Sequence, residues 1–249
     1  MIEIRNVSVV KAGQTLYKDF SFTIDNGENW VITGPNGSGK TLLLEIISGA
    51  GHVAHGEVFL DFIAGNTWDD RYKEKKKLIT YIPPHALHNF LNGHNDLYYQ
   101  QRYYAIGDER IPLVTDLLGD ALISLHALDI PSSLSIEHLL QLEVTRLSNG
   151  QLKKLLLLKN FSRGIPKLIL LDYPFEGLDV QSREDLCQFI DFLHTTHKVQ
   201  VIITDHHHHL PTCINRRLGH DNFRIKKTES FIASTPKLIE GVSREDSLN

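Results

Sequence analysis

The chain has 249 residues, with 26 Lys and Arg against 30 Asp and Glu for a formal charge of -4, and is 41% hydrophobic and 22% charged. This composition is close to the globular average and excludes a disordered or fibrous chain, and the length suits one large domain or two small ones. The mild acidity gives no electrostatic ground for binding nucleic acid or anionic lipid, and the basic run at 71–77 (RYKEKKK) reads as a solvated loop face. Cys187 and Cys213 lie in unrelated contexts without metal-type spacing, which predicts reduced thiols and a cytoplasmic protein. No stretch of about 18 apolar residues is present, and the N-terminal residues alternate like a strand rather than a signal peptide, so any membrane role would need a partner.

In chain order, the alternation of Ile2, Ile4, Val7 and Val9 with polar residues predicts a half-buried strand. A second strand at 20–24 ends at the Asn26-Gly27 turn, and a third at 29–33 runs into a glycine-rich loop. The loop feeds a helix at 42–48 closed by Gly49 and Gly51. Short strands follow at 57–62 and 78–82, the latter stopped by Pro83-Pro84. From 85 to 160 the texture becomes helix-forming, with tyrosines at 98, 99, 103 and 104, and is read as a helical insertion. A strand at 167–171, a helix at 183–195 and a strand at 199–204 come next. The helix takes Ser182 as N-cap and puts Leu186, Phe189, Ile190 and Leu193 on one face. Beyond about 227 a polar, weakly patterned stretch reads as a peripheral tail. Strands alternating with helices imply an α/β domain with a largely parallel core sheet.

Gly34-Pro35-Asn36-Gly37-Ser38-Gly39-Lys40-Thr41 fits G-x-x-x-x-G-K-[ST] between a predicted strand and a predicted helix. Glycines let successive backbone N–H groups and a helix N-terminus point at phosphate oxygens. Lys40 can then reach the β- and γ-phosphates, and the Thr41 hydroxyl can ligate Mg²⁺. The run 167–172 (KLILLD) is a buried strand whose Asp172 emerges at the carboxyl end, where open α/β sheets place their ligands, and there it can hold Mg²⁺. Leu147-Ser148-Asn149-Gly150-Gln151, beginning 25 residues before Asp172, opens a helix at 151–159 and offers a hydroxyl, N–H groups and a helix dipole to an anion. Gly177-Leu178-Asp179 follows the acid, and His206 follows the strand at 199–204.

This order of motifs over residues 1–210 resembles the ATP-binding cassette (ABC) ATPases. The resemblance implies a P-loop fold with a RecA-like core, an N-terminal antiparallel β part and an inserted helical subdomain, all in one nucleotide-binding domain spanning 1–249. It makes Gly34 to Thr41 the Walker A loop and Asp172 the end of Walker B. It makes LSNGQ the signature, Asp179 part of the D-loop, and His206 the switch histidine on the γ-phosphate. ATP and Mg²⁺ are the implied cofactors. The implied partner is a second ABC subunit, head to tail, so that Ser148, Gly150 and Gln151 serve the other subunit's nucleotide. A membrane permease is a further implied partner. ENWVITGPNGSGKT and PFEGLDVQSR resemble more narrowly the soluble ABC ATPases associated with molybdate uptake.

Four departures qualify the resemblance. Tyr173 stands where the family has the glutamate that polarises water, and a phenol with pKa near 10 is a poor base, so hydrolysis is expected to be impaired. Pro83-Pro84-His85 replaces the Q-loop glutamine, as a structural turn or with His85 as substitute, while Gln100 and Gln101 lie too far along. Val9-Val10-Lys11 occupies the stretch of the adenine-stacking aromatic, leaving Tyr17 either to stack or to pack. Asn149 replaces a signature glycine and is read as tolerated. Of His206–His209, only His206, beside Asp205, is assigned to the site, and the other three are read as surface rather than as a metal site. The functional expectation is a Mg-ATP-dependent ABC ATPase subunit of a transporter, with a soluble non-transport ABC protein or a nucleotide-gated sensor as alternatives.

Overall fold

The structure is a computed structural model that describes residues 1–86, 112–123, 128–161, 164–206, 209–222 and 224–231. The alternating N-terminal residues form β1 (Ile2–Lys11), which pairs antiparallel with β2 (Gln14–Ile24) on one side and β4 (His55–Leu60) on the other. Ile2, Ile4, Val7 and Val9 are all buried, and a register shift against β2 between Ile4 and Val7 lets the inward face resume after the three-residue step. β2 begins well before the expected 20–24, because Gln14, Thr15 and Tyr17 also find partners on β1.

A second sheet has six strands in the order β5 (Ile79–Ile82), β6 (Leu168–Asp172), β7 (Gln200–Thr204), β3 (Trp30–Thr33), β8 (Arg216–Asp221), β9 (Arg224–Ser230). All neighbours are parallel except the β8–β9 hairpin. Every residue of β6 and β7 is buried, which explains their near-continuous apolar sequences. Leu168 and Leu170 of β6 pack on the face that carries α1 (Lys40–Ser48) and the three-stranded sheet. Ile169 and Leu171 pack on the opposite face, against α4 (Asn149–Asn160) and α5 (Val180–His197). The sheet is thus sandwiched, and the carboxyl ends of β3, β6 and β7 open on one edge in register, Asp172 beside Thr204 and Thr204 beside Ile32.

Several sequence expectations need correction. The basic run at 71–77 is not a loop but lies in α2 (Trp68–Leu78), capped by Thr67, whose hydroxyl accepts from the Asp70 N–H. Asp69 and Asp70 sit in its first turn and Lys75, Lys76 and Lys77 in its last, complementing the helix dipole, and no residue of it is buried. α5 begins at Val180 with Asp179, not Ser182, as its N-cap, although Leu186, Phe189, Ile190 and Leu193 are buried as expected. The polar stretch at 227–230 is no tail: it belongs to β9, the edge strand beside β8, where polar and charged residues are common because they discourage further strand pairing. Within 85–160, the described residues hold α3 (Val114–Leu118), two short 3₁₀ turns (Glu137–Leu139 and Val144–Arg146) and α4. Tyr98, Tyr99, Gln100, Gln101, Tyr103, Tyr104, His207, His208 and residues 232–249 lie outside the described residues. Among the described residues no helix is long and apolar enough to cross a membrane.

Candidate functional site

The loop Gly34 to Gly39 leaves the end of β3 and delivers Lys40 and Thr41 to the first turn of α1. Gly34 has φ 149, and a Cβ there would lie 1.8 Å from the His220 carbonyl oxygen, so only glycine fits. The Lys40 side chain is folded back over its own loop. Its ammonium donates to the Gly34 and Pro35 carbonyls, 2.7 Å each, with Ser38 Oγ at 3.5 Å. Lys40 is only 3% exposed, which is rare for a lysine. Burial lowers its pKa, and the nearby Asp172 carboxylate works against that shift.

Asp172 is 2% exposed at the end of β6. One carboxylate oxygen accepts from the Thr204 hydroxyl of β7. The other, Oδ2, is buried without a well-formed hydrogen bond. Burial raises the Asp172 pKa, while the Thr204 and Thr41 hydroxyls, Lys40 and His85 all favour the charged form. A buried carboxylate with an unsatisfied oxygen and a threonine hydroxyl beside it are oxygen ligands suited to a hard divalent cation or its water. Those residues fit Mg²⁺. The influence of His85 also puts the Pro83-Pro84-His85 segment near Asp172, and Pro83 and Pro84 line a small cleft with Asp172 and Tyr173.

Tyr173 follows with φ 51, a left-handed conformation uncommon for a bulky residue. Its N–H faces both the Thr204 carbonyl at 3.2 Å and the Thr204 hydroxyl at 3.0 Å, which holds the turn. The ring centroid lies 5.5 Å from the Lys40 ammonium and 5.2 Å from the His206 ring. Burial, with Asp172, Asp205 and Glu176 adding to it, pushes the Tyr173 phenol up to about 12. At neutral pH it is therefore a hydrogen-bond donor and not a base. His206 Nε2 is 3.2 Å from Asn36 Oδ1 of the loop, and the His206 N–H donates to Asp205 Oδ1 at 2.6 Å. Lys40, Asp172, Tyr173, His206 and Asn36 thus meet on one sheet edge.

The signature residues occupy a different place. Ser148 caps α4, its hydroxyl accepting from the Gln151 N–H while Gln151 Oε1 accepts from the Ser148 N–H. A Cβ on Gly150 would lie 2.6 Å from Ser182 Cβ, because the first turns of α4 and α5 meet there. Asp179 accepts from both the N–H and the hydroxyl of Ser182. None of the hydrogen bonds of Ser148, Gly150, Gln151 and Asp179 reaches the phosphate loop of the same chain, among the described residues.

Tyr17 packs rather than stacks: it is 0% exposed, with its ring 4.8 Å from that of Phe20. His209 pairs with Glu184 at 2.7 Å. No group of three or more His, Cys, Asp or Glu that could hold a metal occurs among the described residues. The sequence reading missed Thr204, which holds both Asp172 and Tyr173, and Lys153. The Lys153 ammonium donates to the Pro174 and Glu176 carbonyls and tethers the loop after Tyr173 to α4. It also missed His220, which lies beneath the phosphate loop. Position after an apolar strand was a signal for Thr204, whereas none existed for His220.

Comparison with known proteins agrees with this arrangement. The family model described as ABC transporter matches residues 17–176. The chain is 28% identical over 210 residues to the zinc import ATP-binding protein ZnuC of Rickettsia prowazekii (strain Madrid E), covering 83% of this chain and 76% of that protein. It is 31% identical over 166 residues to the molybdate/tungstate import ATP-binding protein WtpC of Thermococcus kodakarensis (strain ATCC BAA-918 / JCM 12380 / KOD1), covering 67% of this chain and 46% of that one. Its fold is that of the ATP-binding cassette MJ0796, solved as a dimer in a post-hydrolysis state with ADP and Pi, at a TM-score of 0.64 and 22% identity over 92% of this chain and 98% of the other. The chain belongs to the ABC transporter family, among its ATP-binding ATPase cassettes.

Proposed function

We propose that this chain, as one nucleotide-binding domain, binds Mg-ATP at the edge formed by β3, β6 and β7 and closes head to tail with a second ABC subunit, identical or different. It acts as the ATP-binding component docked on a membrane permease, and its similarity to zinc and molybdate/tungstate import ATP-binding proteins supports that role. The observation that carries the reading is the convergence of Lys40, Thr41 and Asp172 at the carboxyl ends of the strands. Lys40 can exchange its two loop carbonyls for β- and γ-phosphate oxygens, so anion binding need not cost it a hydrogen bond. The N–H groups of Gly34 to Thr41 and the start of α1 provide the rest of the cradle. Thr41 and Asp172 Oδ2 would hold Mg²⁺, which when bound neutralises phosphate charge. His206, whose Nε2 lies 3.2 Å from Asn36 Oδ1 of the loop, would contact the γ-phosphate. Ser148, Gly150, Gln151 and Asp179, whose hydrogen bonds among the described residues are local to α4 and α5, serve the nucleotide of the partner subunit.

Hydrolysis in this reading is slow, because the neutral Tyr173 phenol cannot take a proton from water. Positioning by Lys40 and His206 remains. The packing of the Tyr173 ring beside Lys40 and His206 also favours a second reading, a soluble nucleotide-gated ABC protein with little turnover. Steady-state ATP hydrolysis separates the two, comparing the wild type with Tyr173→Glu against Lys40→Ala as background. A restored base is expected to raise kcat by about 10²-fold or more. Wild-type turnover equal to that of Tyr173→Glu would overturn the impaired-hydrolysis reading, and wild-type turnover at background would favour the gated module.

A further inference from the structure

Beneath the phosphate loop lies a buried polar pair that the site described above does not use. The Tyr17 hydroxyl is 3.1 Å from the Gly39 carbonyl and 2.8 Å from His220 Nε2. Tyr17 belongs to β2 of the three-stranded sheet and His220 to β8 of the six-stranded sheet, and they are 0% and 1% exposed. The Gly39 carbonyl also accepts the Leu43 N–H at 2.9 Å, so it is the first acceptor of α1, immediately before Lys40 and Thr41. The His220 backbone carbonyl is at the same time the group that leaves no room for a Cβ on Gly34. One residue of β8 therefore touches the loop at its first glycine by main chain and, through Tyr17, at its last glycine.

We propose that Tyr17 and His220 are positioning residues that hold the phosphate loop through a hydrogen-bond relay, from His220 Nε2–H to the Tyr17 oxygen and from the Tyr17 O–H to the Gly39 carbonyl. The chemistry of the groups dictates this order. A phenol has one hydrogen, and the Gly39 carbonyl can only accept, so the ring nitrogen must donate. His220 Nδ1 makes no well-formed hydrogen bond, as the lone pair of that tautomer would, while the Ser38 main chain also bears on the ring. Burial, with the Lys40 ammonium adding to it, pushes the His220 ring down to about 4, in keeping with a neutral imidazole. Two buried polar side chains in place of two apolar ones fix a single geometry, because the first turn of α1 cannot shift without breaking the chain of bonds. That turn carries the Lys40 and Thr41 groups that receive phosphate and metal.

The proposal rests on the reading that the loop binds nucleotide phosphates, and its test separates the two. Mg-ATP affinity is measured by calorimetry for wild type, Tyr17→Phe, His220→Leu, His220→Gln and the Tyr17→Phe/His220→Leu pair, with thermal midpoints alongside. Amide exchange at Leu43 is followed without nucleotide. Tyr17→Phe and His220→Leu are each expected to weaken Mg-ATP binding about five- to tenfold, the equivalent of one hydrogen bond. The double variant should be no weaker than either, since both remove the same relay. His220→Gln, whose side-chain amide reaches as far as Nε2 and can donate, should restore affinity. Leu43 exchange should quicken in Tyr17→Phe. Affinity within twofold of wild type at a lowered thermal midpoint would reduce the pair to packing and overturn the proposal, as would additive losses or a folded His220→Gln that fails to restore binding. Should His220→Leu not fold, Tyr17→Phe and His220→Gln decide alone. A wild type that does not bind Mg-ATP would overturn the nucleotide reading, while unchanged Leu43 exchange in Tyr17→Phe would overturn the relay by itself.

Discussion

Gly150→Ala tests whether the signature glycine is demanded by packing within one chain, before any partner subunit is involved. Gly150 is buried in the first turn of α4, where the added Cβ would lie 2.6 Å from Ser182 Cβ, 2.8 Å from Ser182 Oγ and 3.3 Å from Ser182 Cα. Ser182 cannot swing aside freely, because Asp179 holds both its N–H and its hydroxyl at 2.8 and 3.0 Å. Overpacking of this kind costs about 1–3 kcal/mol, and the higher helix propensity of alanine returns at most about 1 kcal/mol. The expected net destabilisation is about 1.5 kcal/mol, which for a chain of this size lowers the thermal midpoint by about 3–6 °C. Urea denaturation of Gly150→Ala, Ser182→Gly and the double variant forms a cycle that isolates the contact. Ser182→Gly removes the Cβ and Oγ that collide, so Gly150→Ala should cost less in that background, and possession of the cap by Asp179 should be unaffected. A Gly150→Ala chain as stable as the wild type, or more stable, would refute the packing argument and leave this glycine to intersubunit nucleotide contact alone.

Asp172→Asn is expected to raise the thermal midpoint of the ligand-free chain, because burial disfavours the charged carboxylate, and to abolish the further rise that Mg-ATP gives the wild type. Retention of that Mg-ATP shift would remove Asp172 from the cation site. The His220 ring, pushed down to about 4 and faced by Tyr17, the Ser38 backbone, Lys40 and Asp221, binds a proton more weakly in the folded chain than in the unfolded one. Stability attributable to this ring is therefore present at neutral pH and is lost as pH falls through about 6.5 towards 4, some ~2 kcal/mol of it between pH 7 and pH 5. Denaturation at the two pH values should show a correspondingly smaller loss in His220→Gln, and equal losses in both chains would contradict the burial of a neutral imidazole.

Much of the site was legible because its chemistry is contiguous. Eight successive residues from Gly34 to Thr41 make the cradle, and the run ending in Asp172 announces both a buried strand and the acid at its end. Periodicity likewise placed the buried faces of β1 and α5. It failed on the β8–β9 hairpin, where only one strand is flanked on both sides and the apolar signal is thin. It failed too on α2, which buries no residue and leaves only capping and charge order as evidence. Asp179 was placed in the site by its motif, whereas its visible task is to cap α5, a role that the serine three residues on was expected to fill.

The sequence by itself determined the glycine-rich loop at 34–41, the acid that ends the central strand and the tyrosine that follows it, since each is written in neighbouring residues whose backbone follows directly from their chemistry. Tertiary structure alone decided what those groups face. Strand order and register set Thr204 beside Asp172, bring the His206 ring to Tyr173, and carry His220 beneath a loop that lies far away along the chain. The physical reason is that burial and hydrogen-bond satisfaction are properties of the closed sheet: until β3, β6, β7 and β8 are aligned, a histidine, a threonine or a buried tyrosine has no environment to distinguish it.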